Sequence, residues 1–119
     1  MTEKRGRDRI RRRIQLSYGL EGKMRTAFTE DFSPSGLFIK AALVYPPNSI
    51  IEVVLTLADD REVAFEARVM WAKRVPPNLM RLSHKSGMGV RIRRFHRGEE
   101  SYRELCQGFA ERRGKSSPH

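Results

Sequence analysis

The sequence predicts an all-β domain: six short antiparallel strands forming a small closed or half-closed barrel, with one helix at its C-terminal end and a flexible basic arm before it. Three observations carry this. Apolar and polar residues alternate with a period of two in several successive segments. Clusters of Gly, Pro, Asp and Asn separate those segments. Near the end the apolar residues Tyr102, Leu105, Cys106 and Phe109 change to helical spacing. At 119 residues, 39% hydrophobic and 32% charged, the chain suits one domain with one modest core.

Residues 1–13 form the arm, in which dense like charge and few apolar groups predict disorder in isolation. Residues 14–95 form the barrel. In the first strand Ile14, Leu16, Tyr18 and Leu20 alternate with Gln15, Ser17 and Gly19. Residues 21–23 make a tight turn, and residues 24–32 return with a weaker pattern: Met24, Thr26, Phe28 and Glu30 against Arg25, Ala27 and Thr29. Residues 33–36 break the ladder, because Pro34 has no N–H to donate and Gly36 permits a positive φ. A third strand follows over residues 37–41, a loop over 45–49, and a β-branched fourth strand over 50–57. Asp59 and Asp60 turn the chain into a long fifth strand, residues 62–73, with Val63, Phe65, Ala67, Val69 and Trp71 on one apparent face. Trp71 therefore reads first as a core residue. After a loop over residues 76–86, the sixth strand covers residues 87–92. The helix is expected over residues 96–113, with Glu99 and Glu100 near its start and Arg112 and Arg113 near its end to suit the helix dipole. Gly114 is expected to stop it and residues 114–119 to fray.

The net charge of +10 points to an anionic partner. The arm holds seven basic residues against two acidic ones, half of that net charge, and residues 81–97 add six basic residues and no acid. No run approaches the roughly 20 apolar residues of a membrane span, and the basic N-terminus lacks the apolar segment of a secretory signal, so a cytoplasmic location without membrane insertion is expected. The single Cys106 forms no internal disulfide. His84, His96 and His119 lack metal-ligand spacing with Cys or carboxylates, and no nucleophile, base and orienter set is visible. No metal, cofactor or enzymatic activity is therefore expected.

The chemistry lies in the arm and in residues 31–36, Asp-Phe-Ser-Pro-Ser-Gly. Guanidinium forks suit phosphate oxygens or the O6/N7 edge of guanine. A carboxylate such as Asp31 suits the N1–H and N2–H of guanine, Ser33 adds a hydroxyl, and Gly36 removes side-chain bulk. The pattern RxxxR followed by Asp31-x-Ser33-x-x-Gly36 resembles that of the PilZ domain, a bacterial receptor module for cyclic di-GMP. The apolar Leu37-Phe38-Ile39, the V-x-W of Val69-Met70-Trp71 and the closing Gly89-Val90-Arg91-Ile92 resemble its later motifs, with Ile92 in place of the usual aromatic. The resemblance covers about residues 3–95.

The resemblance implies a six-stranded barrel that binds cyclic di-GMP between arm and turn, through Arg5, Arg9, Asp31, Ser33 and Gly36, with Lys4 and Trp71 as additional candidates. Three registers of RxxxR are available: Arg5 with Arg9, Arg7 with Arg11, and Arg9 with Arg13. The first is preferred because Glu3-Lys4-Arg5 leads into it as in the family, with Lys4 replacing an arginine, and it places Asp31 22 positions after Arg9. It further implies that ligand orders the arm and changes the surface shown to a downstream protein, the chain being a monomer or a ligand-dependent dimer. Two other readings stand beside it. A basic barrel that binds nucleic acid would place exposed aromatics near its basic groups, whereas the aromatics here fall mostly on core phases. A PilZ-like interaction module would contact proteins without the nucleotide.

Overall fold

The computed structural model describes residues 10–74 and 86–116. Six antiparallel strands close into a barrel: β1 (Ile14–Leu20), β2 (Lys23–Ser33), β3 (Gly36–Lys40), β4 (Ile50–Thr56), β5 (Glu62–Lys73) and β6 (Gly87–Arg97). Their order around the barrel is β1-β2-β3-β6-β5-β4, and β1 closes it on β4 with Leu16 opposite Leu55 and Tyr18 opposite Val53. One helix, α1 (Glu99–Ser116), follows. No helix among the described residues is long and apolar enough to cross a membrane.

The period-two residues fill the barrel. Leu16, Tyr18, Ile39, Ile51, Val53, Leu55, Val63, Phe65, Val69 and Met88 are almost wholly buried, and burying side chains of this size stabilises by roughly 1.5–3 kcal/mol each. On β2 the inward face is that of Ala27 and Thr29, until a bulge between Thr29 and Asp31 changes the phase and turns Phe32 into the core. A bulge inserts one unpaired residue and so reverses the alternation beyond it.

The same effect corrects the reading of Trp71. The pairing of β5 with β6 shifts between Val69, opposite Val90, and Trp71, opposite Gly89. Both Met70 and Trp71 thus emerge on the outer surface, 45% and 50% exposed, and Trp71 is no core residue.

The C-terminal boundaries differ from expectation as well. The sixth strand runs on to Arg97, held by its pairing with β5 as far as Ala64. Gly98, at φ +80°, then turns the chain, and the helix starts at Glu99 rather than at residue 96. Gly114 does not stop it; the helical backbone continues through Ser116. Tyr102 and Cys106 face the barrel and are buried, with Tyr102 meeting Phe32, Phe65 and Phe95. Burial pushes the Cys106 thiol up to about 11, against a hydrogen bond with Tyr102 that lowers it.

Ordered chain also precedes β1. Ile10 is buried and exchanges two backbone hydrogen bonds with Phe32, its N–H to the Phe32 carbonyl at 2.6 Å and the reverse at 3.0 Å. The expected arm of residues 1–13 thus has one apolar residue driven into the core. Lys4, Arg5 and Arg9 lie outside the described residues, as do Arg81, His84, His119 and all of the expected 76–86 loop but Ser86.

Candidate functional site

The β2–β3 connection is as tight as a hairpin allows: Ser33 and Gly36 are paired, with only Pro34 and Ser35 between them. Ser33 shapes it. Its Oγ donates to the Gly36 carbonyl at 3.4 Å, accepts the Ser35 N–H at 3.3 Å, and lies 3.4 Å from the Ser35 Oγ. The turn thus closes on its serine hydroxyl, and Ser33 is buried. Two further elements fix it from below. The Ile92 N–H of β6 donates to the Ser35 carbonyl at 2.9 Å. The Tyr102 hydroxyl of α1 donates to the Ser33 carbonyl at 2.5 Å, in a buried contact 69 residues apart in sequence.

Gly36 owes its identity first to packing. A Cβ there would run into the Val90 carbonyl of β6, with the Arg91 Cα 3.2 Å away. Asp31 sits just after the bulge, half-buried and opposite Phe38, with its N–H donating to the Thr29 Oγ at 3.3 Å.

Beside the turn an open groove of about 300 Å³ is lined by Ser33, Ser35, Gly36, Phe38, Met70, Trp71, Gly89 and Arg91, among others. It joins Ser33, Gly36 and Trp71 of the expected set; Asp31 is outside its lining. Phe38, Gly89 and Trp71 are aligned across three neighbouring strands. Because Gly89 has no side chain, the Trp71 indole lies over it and stacks on Phe38, with centroids 5.5 Å apart and planes 23° apart. Arg91 is a groove residue that sequence reasoning missed. Its only signal was its place in the Gly89-Val90-Arg91-Ile92 motif, where alternation puts it on the outer face.

The arm meets this region through Ile10. Its partner Phe32 lies between Asp31 and Ser33, so the described chain ends one covalent bond from Arg9 and beside the turn. Arg13 is engaged elsewhere, with its guanidinium 4.0 Å above the Phe28 ring. A second groove, of about 350 Å³, lies near the β4–β5 turn between Arg12, Arg13, Asp59, Arg61 and Leu105, and none of the expected site residues lines it.

The histidines need one correction. Spacing along the sequence gave His96 no carboxylate partners, but the barrel brings Glu52 of β4, Glu66 of β5 and His96 of β6 together, their ligand atoms within 4.8 Å of one another. His96 Nε2 is 2.8 Å from Glu52 Oε1. Glu66 is already held by Arg93 at 2.9 Å and Arg94 at 3.6 Å.

Comparison with known proteins agrees with this architecture. The family model described as PilZ domain matches residues 3–107. The chain therefore belongs to the PilZ domain family, a family of cyclic di-GMP receptor modules that are regulatory and generally non-enzymatic. Among solved structures it is similar to the Bacillus subtilis inhibitor of motility (MotI/DgrA), with TM-score 0.69 and 17% identity, covering 91% of this chain and 50% of that one. It thus spans half the length of that protein. It is also similar to the PilZ domain of CeSA from a cellulose-synthesizing bacterium, with TM-score 0.58 and 21% identity, covering 86% of this chain and 97% of that one. At these identities the likeness shows the fold. No curated protein sequence matches the chain.

Proposed function

We propose that this chain is a cyclic di-GMP receptor whose arm closes over the ligand at the β2–β3 turn and thereby changes the surface offered to a protein partner. The observation that carries the reading is the Ile10–Phe32 pairing, which brings the end of the arm beside the Asp31–x–Ser33–x–x–Gly36 turn. Arg5 and Arg9 grip phosphate oxygens and guanine edges through their planar forks. Asp31 accepts guanine N–H groups. Ser33 and Gly36 act by shape: the hydroxyl holds the turn, and the glycine lets β3 lie close on β6. Lys4 adds a point charge, and the exposed face of Trp71 receives a base. Arg13, seated on Phe28, supports the Arg5–Arg9 register over Arg9–Arg13.

Like charges in the arm repel one another, and a dianionic ligand neutralises them. Binding therefore orders the arm, and the ordering cost lowers the apparent affinity. The ordered arm is the new surface for a downstream protein, in a cytoplasmic setting and with no membrane insertion.

Calorimetry with cyclic di-GMP tests this on wild type, Arg9→Ala, Asp31→Ala and Arg13→Ala. Wild type and Arg13→Ala should bind alike, and the other two should lose most affinity. A wild-type protein that gives no heat at high micromolar ligand removes the receptor reading. One observation favours nucleic acid instead: the Trp71–Phe38 pair is an exposed aromatic platform beside Arg91. Family membership favours the cyclic dinucleotide, and RNA or DNA binding indifferent to Asp31→Ala would reverse that preference.

A further inference from the structure

The outer face of β4, β5 and β6 carries a cluster of donor side chains that neither groove includes. Glu52 lies between the buried Ile51 and Val53, and Glu66 between the buried Phe65 and Ala67, so alternation turns both carboxylates outward. They stand directly opposite each other in the β4–β5 ladder. Like charges in that position repel and weaken the pairing. The third member reaches them through irregularities of β6. Ile92 pairs with Ala67, Arg94 with Glu66, Phe95 with Phe65 and Arg97 with Ala64. Arg93 and His96 are thus the extra residues of two bulges, a device that re-aims side chains beside functional positions. Arg93 donates to Glu66 at 2.9 Å, and His96 Nε2 lies 2.8 Å from Glu52 Oε1.

We propose that Glu52, Glu66 and His96 form a zinc site on the outside of the barrel. The donor set selects the metal. One imidazole with two carboxylates suits zinc, whereas calcium and magnesium favour sites made of oxygen ligands alone. Three side chains leave the fourth position of a tetrahedron to water. The three ligand atoms lie within 4.8 Å of one another. Ligands at about 2.0–2.2 Å from zinc lie about 3.4 Å apart in a tetrahedron. Small side-chain rotations close the difference, since Glu52 and His96 are 44% and 36% exposed. Glu66 is more enclosed, and its two oxygens differ. Arg93 holds Oε2 at 2.9 Å, whereas Arg94, 69% exposed, is 3.6 Å from Oε1. Zinc takes Oε1 and displaces Arg94 into solvent. Arg93 stays on Oε2, the hydrogen-bonded support that a ligating carboxylate usually has. The ion replaces the Glu52–Glu66 repulsion with a shared cation and ties three strands together. This site is independent of the dinucleotide reading.

The test titrates the full chain with zinc chloride alone, without nucleotide, and follows melting and the histidine ring nitrogens by NMR. Zinc should raise the melting temperature of wild type, a chelator should reverse the rise, and the His96 Nε2 resonance should shift. His96→Ala and Glu52→Gln should each lose about tenfold or more in zinc affinity, at least the loss seen when a supporting residue is removed. Arg94→Ala should bind zinc more tightly, because it removes a competing cation; a merely structural ion pair predicts no gain. The double variant His84→Ala, His119→Ala should bind as wild type. If His96→Ala does not fold, the near-isosteric Glu52→Gln decides. No melting shift at high micromolar zinc overturns the site. So does equal affinity of wild type and Glu52→Gln, or a loss confined to the His84, His119 variant.

Discussion

Tyr102→Phe removes one oxygen atom and asks how firmly the helix holds the β2–β3 turn. The Tyr102 hydroxyl donates to the Ser33 carbonyl at 2.5 Å, and the residue is 1% exposed. Its ring contacts Phe32, Phe65 and Phe95 at centroid distances of 6.2, 6.3 and 5.8 Å, contacts that phenylalanine retains. The loss is therefore that of the hydroxyl's hydrogen bonds, to the Ser33 carbonyl and with Cys106. Taking away one partner of a buried bond costs about 1–3 kcal/mol. For a domain of this size each kcal/mol lowers the melting temperature by roughly 4 °C, so Tyr102→Phe should melt about 4–12 °C below wild type. Tyr102→Ala also empties the space between three aromatic rings and should cost about 3–5 kcal/mol. Circular dichroism melts of the three proteins measure this directly. If Tyr102→Phe melts within about 1 °C of wild type, the helix does not hold the turn through this bond, and the reasoning is refuted. If the turn is held as described, Tyr102→Phe should also weaken cyclic di-GMP binding, through a looser turn.

Three other outcomes follow from the packing. Gly36→Ala should destabilise by about 1–3 kcal/mol, the usual cost of overpacking, because its Cβ meets the Val90 carbonyl; a melt equal to wild type would show that β3 and β6 can part freely. Ile10→Ala should lower stability by about 2 kcal/mol or more and weaken ligand binding with it, since the arm loses the buried side chain that seats it in the core and keeps only its backbone pairing with Phe32; calorimetry and melting together check both effects. Cys106 should resist thiol reagents in the native state at pH 8 and react once unfolded. Its folded pKa of about 11 lies above the ordinary 9.0. Stability should therefore be intact below about pH 9 and fall as pH rises towards 11, where only the unfolded thiol is ionised. Cys106→Ala should flatten that alkaline limb, and an unchanged limb would assign it to other groups.

Much of the barrel could be read from residue order. Alternation in residues such as Val63, Phe65, Ala67 and Val69 placed the strands, and turn residues such as Asp59 and Asp60 separated them. Period two identifies a strand because successive side chains point to opposite faces. It fails at a bulge, which is a property of two strands together. Nothing in the sequence of β5 announces the shift after Val69, and so Trp71 read as core and lies on the surface. The helix start was misplaced for a similar reason: β6 is extended by pairing with β5, and only Gly98 marks its end. Asp31, Ser33 and Gly36 could be singled out as candidates because their types and spacing are local. Arg91, Tyr102 and Ile10 meet the β2–β3 turn region through contacts across the barrel, which spacing along one chain does not reveal. The same holds for Glu52, Glu66 and His96, one from each of three strands.

The central claim is that the β2–β3 turn and the arm bind cyclic di-GMP through Asp31. Its most direct test is a titration of cyclic di-GMP into wild type and Asp31→Ala, side by side, with melting temperatures measured on both. Saturable binding by wild type and a loss of about tenfold or more in Asp31→Ala, with similar melting, is the result this account expects. Equal affinity in the two proteins, or no binding by either, would contradict it.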